Sequence, residues 1–251
     1  MSVVWHQVKA EQLIFWRNRE SAVFIFIFPI LLFVLLGSLY DGEIEINGVE
    51  YQASDVLLAG MIGYGAANTA FAGLAIVLVV RREYGILKRL RSTPLPAATY
   101  LGSMLASSLF VFALQVAALF LLGHFAYDAQ LPERIGSLML LVLLGVVAFA
   151  GLGIGSAALI RSAEGASAVL NVVLLPMAFL SGAFGSRDYP AVLEAIANVL
   201  PLKYFIDLVY AVYLEDEAVW SDPRAIAVIL AWGLAGAVIG ARRFGWEPRE
   251  R

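Results

Sequence analysis

The fold is decided by the stretch VLLAGMIGYGAANTAFAGLAIVLVV (residues 56–80) and the segment that follows it, RREYGILKRLRSTPLPAATY (residues 81–100). Residues 56–80 contain no charged side chain. Crossing the ~30 Å hydrocarbon core of a bilayer takes ~20 apolar residues at ~1.5 Å each, so this stretch predicts a membrane-spanning helix. The cations that begin at Arg81 predict that the helix ends at a charged membrane surface.

The composition of the whole chain agrees with that interpretation. Of its 251 residues, 61% are hydrophobic and 15% are charged, whereas soluble domains are about 45–50% apolar and about 25% charged. Six spans use about half of such a chain, which excludes a large domain outside the membrane. The chain has no cysteine, so disulfides, thiolate metal sites and cysteine catalysis are absent.

Working outward from residues 56–80, we predict an all-α integral membrane protein that forms a single transmembrane domain over residues 1–251. The N-terminal stretch 3–20 predicts an interfacial amphipathic helix, because Val4, Val8, Gln12 and Phe15 share one side. Pro29 predicts a kink in the first span, tolerated where neighbours satisfy the freed backbone. The acidic segment 40–55 predicts a short hairpin around Asn47–Gly48. The six transmembrane helices are predicted at 22–39, 56–80, 101–125, 135–160, 166–180 and 225–241.

The distribution of charge predicts the orientation. With the N-terminus in the cytoplasm, 13 of the 17 Lys and Arg lie on the inside, as the positive-inside rule requires. The cations left outside are Arg134, Arg187, Lys203 and Arg224. We therefore expect a multi-pass protein of the cell (plasma or inner) membrane with both termini cytoplasmic.

The spans carry few groups that could perform chemistry. Their polar residues are chiefly Asn68, Thr69, Gln115 and Asn171, with scattered serines. Ion-coupled carriers need ionisable groups at mid-membrane, and intramembrane enzymes need clustered histidines or acids, so both classes are disfavoured. His6 and His124 lie too far apart in sequence to suggest a metal site. We therefore predict neither an enzyme nor a bound metal or cofactor.

A nucleotide-binding loop is also missing. The Gly-Lys core of a Walker A motif does not occur, so any ATP hydrolysis must take place on another polypeptide.

The basic segment 81–100 supports two interpretations. Ile86, Leu87 and Leu90 share one face of a short helix, Gly85 precedes it, and the residue before Pro94 disfavours its continuation. Such a helix is either an anchor on anionic lipid or a docking element for a cytoplasmic partner.

Two segments resemble a known family. Arg82-Glu83-Tyr84-Gly85, Leu87, Arg89-Leu90-Arg91 and Thr93-Pro94-Leu95-Pro96 are similar to the segment after the second span of type-2 permeases of ATP-binding-cassette (ABC) exporters, which include drug- and antibiotic-resistance permeases. Leu180-Ser181-Gly182-Ala183-Phe184, Tyr189-Pro190, Leu200-Pro201-Leu202-Lys203-Tyr204 and Asp207 resemble the family's region between spans five and six. Arg187-Asp188 departs from that pattern, since the family often carries apolar residues there.

The resemblance implies specific roles. Residues 81–100 would hold a short cytoplasmic coupling helix that docks on a separate ABC ATPase, which would bind the ATP and Mg. Residues 183–214 would form short extracytoplasmic re-entrant helices between spans five and six, and the short fifth span supports this independently. A second copy of the chain would complete a homodimer, with spans two and five lining the path. The implied ATPase-coupling residues are Arg82, Glu83, Gly85, Leu87, Arg89 and Leu90; those of the path are Asn68, Phe71, Asn171 and Leu175; those of the re-entrant segment are Pro201, Lys203, Tyr204 and Asp207.

The expected function is therefore the permease subunit of an ATP-driven exporter that moves an amphipathic or lipophilic substrate (a drug, an antibiotic or a lipid) outward by alternating access. The expected partners are the ATPase, a second copy, the lipid bilayer and the substrate, with no nucleic acid. A permease for polysaccharide or lipid-linked glycan, or a membrane maturation factor of the same fold, stays open as an alternative.

Overall fold

Long helices make up most of the protein. The computed structural model of the chain describes residues 3–40, 42–46, 49–185 and 189–247. Within them, six helices are long and apolar enough to cross a membrane, which confirms the all-α integral membrane fold with six spans. We call them spans one to six: Arg19–Gly37, Ala53–Glu83, Ala97–Tyr127, Ile135–Leu159, Ala163–Leu180 and Pro223–Arg243.

Span two lies at the centre of the bundle. Within the chain, 89% of its apolar stretch is buried, against 22% for span one and 28% for span five. Spans one, three, four and five all pack against span two. The outer faces of spans one and five are therefore left for lipid or for another polypeptide.

The N-terminal helix, Val3–Arg17, precedes span one and packs against span three. Gln12 Nε2 donates hydrogen bonds to the carbonyl oxygen of Ser107 at 2.9 Å and to its hydroxyl at 2.8 Å. The apolar side chains of Leu13, Ile14 and Trp16 stay exposed, so this helix keeps an apolar surface outside the bundle.

Span one is irregular where Pro29 interrupts it. Pro29 has no N–H to give to the carbonyl of Ile25 in an α-helical register or to that of Phe24 in a π-helical one, and π-helical turns occupy Val23–Ile27. Asn68 of span two donates to the carbonyl of Phe24 at 2.9 Å, and Gln115 of span three donates to the carbonyl of Ile25 at 2.9 Å. Side chains from two neighbouring spans thus satisfy the backbone that the proline disturbs.

Small residues bring spans four and six into close contact. A Cβ atom added to Gly151 would lie 2.2 Å from the carbonyl oxygen of Gly233, and one added to Gly155 would lie 2.6 Å from that of Gly236. Only glycine allows this approach, so the glycines at every fourth position pack two spans of the same chain.

A hairpin and a bent helix pair connect the spans on the opposite side of the bundle from the basic segment. Strands β1 (Glu43–Ile46) and β2 (Val49–Gln52) pair antiparallel. Burial and the nearby Glu215 carboxylate raise the pKa of the Tyr51 phenol on β2. Helices Ala191–Ala197 and Pro201–Tyr213, which we call the outer helix pair, meet at 84° between spans five and six.

Several residues singled out in the sequence lie outside the described residues: Asn47, Gly48, Arg187, Asp188, Arg249 and Arg251.

Candidate functional site

The basic segment folds as a short helix set off by a left-handed turn. Span two ends at Glu83, and the basic helix runs Ile86–Arg91. Gly85 between them has a φ of +68°, a conformation that glycine adopts without strain. Leu87 is fully buried and Leu90 is half-buried. The glycine therefore redirects the chain, and the two leucines fix the helix to the bundle.

The outward side of the basic helix forms a cationic surface with one aromatic ring. Tyr84 is 71% exposed, and Lys88, Arg89 and Arg91 are exposed as well. The Arg89 guanidinium donates to the carbonyl of Tyr84 at 3.3 Å. We call these four residues the basic surface. Tyr84 lies in the segment that resembles the family but was not counted among the expected coupling residues.

Arg82 lies inside the protein, contrary to its expected contact with a partner. Its side chain is 1% exposed. Its guanidinium donates to the carbonyl of Ala157 at 2.8 Å and of Ile160 at 2.5 Å, and it lies 5.9 Å from the ring centroid of Phe244. It thus caps the C-terminal end of span four, where unpaired carbonyls favour a cation.

Glu83 makes the complementary contact at the start of span five. Its carboxylate accepts the backbone N–H of Ala163, the first residue of that span. A negative charge is favourable at a helix N-terminus, where N–H groups are unpaired. Arg82 and Glu83 together hold both sides of the turn between spans four and five, and we call this pair the Arg82–Glu83 clamp.

A second buried network joins the N-terminal helix to the same end of span two. Arg81 donates to the two carboxylate oxygens of Glu11 at 2.8 and 2.7 Å and to the Tyr100 hydroxyl at 2.7 Å. All three side chains are buried. Bidentate pairs of this kind fix geometry as well as charge. The signal in the sequence was the placement of Glu11 on the same helix side as Val8 and Phe15.

The four expected path residues divide into two separate pairs. Asn68 and Phe71 are buried inside the single chain, and Asn68 is occupied with the backbone of span one. Asn171 and Leu175 are exposed on span five, where Asn171 donates to the carbonyl of Ser167 at 2.9 Å. In this conformation only the span-five pair faces outward.

The expected re-entrant residues shape the corner of the outer helix pair. Pro201 begins the second helix, and the Tyr204 hydroxyl donates to the carbonyl of Asn198 at 2.8 Å across the bend. Lys203 and Asp207 form an ion pair at 3.0 Å along that helix. Asp55, at the start of span two, accepts from the Tyr213 hydroxyl at 2.7 Å. The bend is thus stabilised by bonds within the outer helix pair, and Tyr213 connects this pair to span two.

The titratable side chains of the described residues do not gather into a metal site. Among them, no three His, Asp or Glu side chains lie close enough to share an ion. The polar groups at the basic end of the bundle bind helix ends and one another instead. These bonds join the end of span two to the N-terminal helix, to the end of span four and to the start of span five.

The comparison with known families agrees with this arrangement. The ABC-2 type transporter family matches residues 2–214, which include both segments singled out in the sequence. No curated protein matches the chain. The chain therefore belongs to the ABC-2 type transporter family, as the transmembrane permease subunit of a transporter and not a catalytic subunit.

Proposed function

We propose that this permease exports an amphipathic or lipophilic substrate (a drug, an antibiotic or a lipid) by alternating access. The observation that carries the proposal is the uncovered face of span five. Val172 is 73% exposed there, beside the exposed Val169, Val173, Leu175 and Phe179. Residues 165–180 hold no charged side chain, and Asn171 is the amide on that face. Such a surface suits an apolar substrate with few polar groups.

We propose that a second copy of the chain completes the path. Spans one, five and six bury little of their surface within one chain, and the exposed face of span five also carries the amide of Asn171. Two copies would enclose a cavity between their span-five faces, with Asn171 and Leu175 among the lining residues. The expected homodimer thus rests on the faces that a single chain leaves open.

We propose that a separate ABC ATPase drives the cycle by pushing on the basic surface. Membership of the family implies such a subunit. The exposed Lys88, Arg89 and Arg91 suit an acidic groove, and Tyr84 offers an apolar contact beside them. Arg82 and Glu83 act one step inward: they pass movement of the basic helix to the ends of spans four and five. Coupling is then mechanical, through bonds inside the chain.

Reconstitution tests this function. The chain is purified with the ATPase that copurifies with it, and both are placed in liposomes. We expect lipophilic compounds to stimulate ATP turnover and to move across the membrane only with ATP. Leu175→Trp should change which compounds stimulate, whereas Leu140→Trp on the exposed side of span four should not. Uphill transport by the chain alone, driven by an ion gradient, would overturn the proposal. Stimulation by polysaccharide or glycan-lipid, and not by lipophilic drugs, would favour the alternative substrate class.

A further inference from the structure

A cavity of about 270 Å³ lies beside the Glu11–Arg81 pair and away from the open face of span five. The N-terminal helix, spans one, two and three, and Ile86 line it, and it is open on one side. A cavity of ~150 Å³ is enough for a benzene ring, so this one has room for a longer hydrocarbon segment. No part of the export cycle proposed above uses it.

The interior of the cavity suits an uncharged chain. Its walls include Ile25, Leu74, Val77, Met104 and Val111. Glu11 and Arg81 also line it, but they are paired with each other, so their charges cancel. A buried charge without a partner would be costly, and an apolar ligand adds none. The cavity therefore favours hydrocarbon over a charged group.

Two exposed arginines flank Asn18, an exposed residue of the cavity lining. These are Arg17 and Arg19, with Glu20 as the neighbouring acid. Cations at a membrane surface attract anionic headgroups. An apolar interior and two arginines at the rim together match the two ends of an anionic phospholipid.

We propose that this cavity binds one acyl chain of an anionic phospholipid, whose headgroup rests against Arg17 and Arg19. The lipid is a resident ligand and not the exported substrate. Its chain would contact the N-terminal helix, span two and the first residue of the basic helix at once. The site therefore lies where a bilayer lipid can steady the end of span two that carries the basic surface.

The first test measures lipid that stays bound. The protein is reconstituted with equal amounts of dioleoyl phosphatidylglycerol and dioleoyl phosphatidylcholine, extracted in mild detergent, and examined by native mass spectrometry. We expect phosphatidylglycerol to be retained roughly tenfold over phosphatidylcholine, given the cations at the rim. Equal retention of both lipids, or a bound small molecule that is not a lipid, would contradict the proposal.

Variants that fill the cavity then test whether the acyl chain of the lipid lies there. Val77→Phe and, separately, Ser108→Leu fill the cavity from spans two and three, and both should lose the bound lipid. Val172→Phe adds the same ring to the open face of span five and should retain it. Thr69→Val should also retain it, because a hydrocarbon chain needs no hydroxyl from the wall. Full retention by both filled variants, in folded and monodisperse protein, places the lipid elsewhere.

The rim is tested by charge removal. The double variant Arg17→Gln, Arg19→Gln should reduce the preference for phosphatidylglycerol by about tenfold. Arg242→Gln, Arg243→Gln removes two exposed cations at the end of span six and should leave the preference unchanged. If both double variants lower it equally, the headgroup recognises net charge and not this rim, and the proposal fails.

Discussion

Arg82 and Glu83 carry opposite charges at adjacent positions, and each meets the helix end whose partial charge it complements. The cation binds carbonyls at the end of span four, and the carboxylate binds an N–H at the start of span five. Adjacent residues on one helix thereby set the position of two others. The strength of this clamp comes from burial, because competing water is kept away from Arg82.

Replacing Arg82 tests the clamp directly. Arg82→Met leaves the carbonyls of Ala157 and Ile160 without their donor, at a cost of about 1–3 kcal/mol for each buried group. We expect a clear loss of thermal stability in detergent and loss of ATP-coupled transport, with partial recovery in Arg82→Lys. Arg89→Met removes an exposed cation and should weaken only the association with the ATPase. Wild-type stability of Arg82→Met would show that the clamp is unimportant.

The residue scale is also where sequence reasoning reached its limit. The family resemblance implied that Arg82 contacts the ATPase, whereas its side chain is buried. Its true acceptors lie 75 and 78 positions away, and no local pattern reports them. Arg89 and Gly85 were easier to interpret from the sequence, because both depend on neighbouring residues. Arg89 is exposed as part of a short basic helix, and Gly85 stands at the turn that precedes this helix.

Among the elements, span one shows how a proline is accommodated. The sequence predicted both the kink at Pro29 and the need for neighbours to satisfy its backbone. It also singled out Asn68 and Gln115 as polar residues within the spans. It could not pair them with Phe24 and Ile25, because that pairing depends on how three spans pack. Asn68 was therefore assigned to the path, whereas in the structure its amide donates a hydrogen bond to the backbone carbonyl of Phe24.

Replacing Pro29 with alanine should reduce the contribution of Asn68 to the stability of the protein. Asn68→Leu alone leaves the carbonyl of Phe24 without its amide donor, and we expect a loss of about 1–3 kcal/mol. Pro29→Ala supplies a backbone N–H again. In the i→i−5 register of this π-helical turn, where the N–H of Phe28 bonds to the carbonyl of Val23, that N–H can reach the carbonyl of Phe24. In the double variant, Asn68→Leu should therefore cost less than in the wild-type background, as a thermal denaturation cycle would show. Strict additivity of the two changes would contradict the shared-backbone explanation.

Spans four and six offer a second test at the same scale. Gly151→Leu places side-chain atoms where the backbone of Gly233 lies, so the two spans must separate. We expect loss of stable, monodisperse protein in detergent. Gly136→Leu at the start of span four meets open space and should be tolerated. Equal behaviour of the two variants would mean that the close contact contributes little to the fold.

For the whole molecule, composition and hydropathy were enough to predict six spans, because each span must be apolar over its full length whatever its neighbours are. The order of packing was not accessible in this way. Span two is the buried centre, yet nothing in residues 56–80 distinguishes it from an outer span except its small residues, such as Gly63 and Gly65. The burial of span two depends on how all the spans pack together, so the sequence of that span alone does not reveal it.

The charge distribution predicts the orientation of the whole molecule, and this prediction can be tested without altering the fold. The chain has no cysteine, so each introduced cysteine is the sole thiol. Ser92, Glu133 and Ser221 are exposed in different connections between spans. Because cations are retained in the cytoplasm, a membrane-impermeant maleimide added to intact cells should label Glu133→Cys and Ser221→Cys. It should label Ser92→Cys only after permeabilisation. Labelling of Ser92→Cys in intact cells would place the basic surface outside, where no ATPase could reach it, and ATP-driven export would then be excluded.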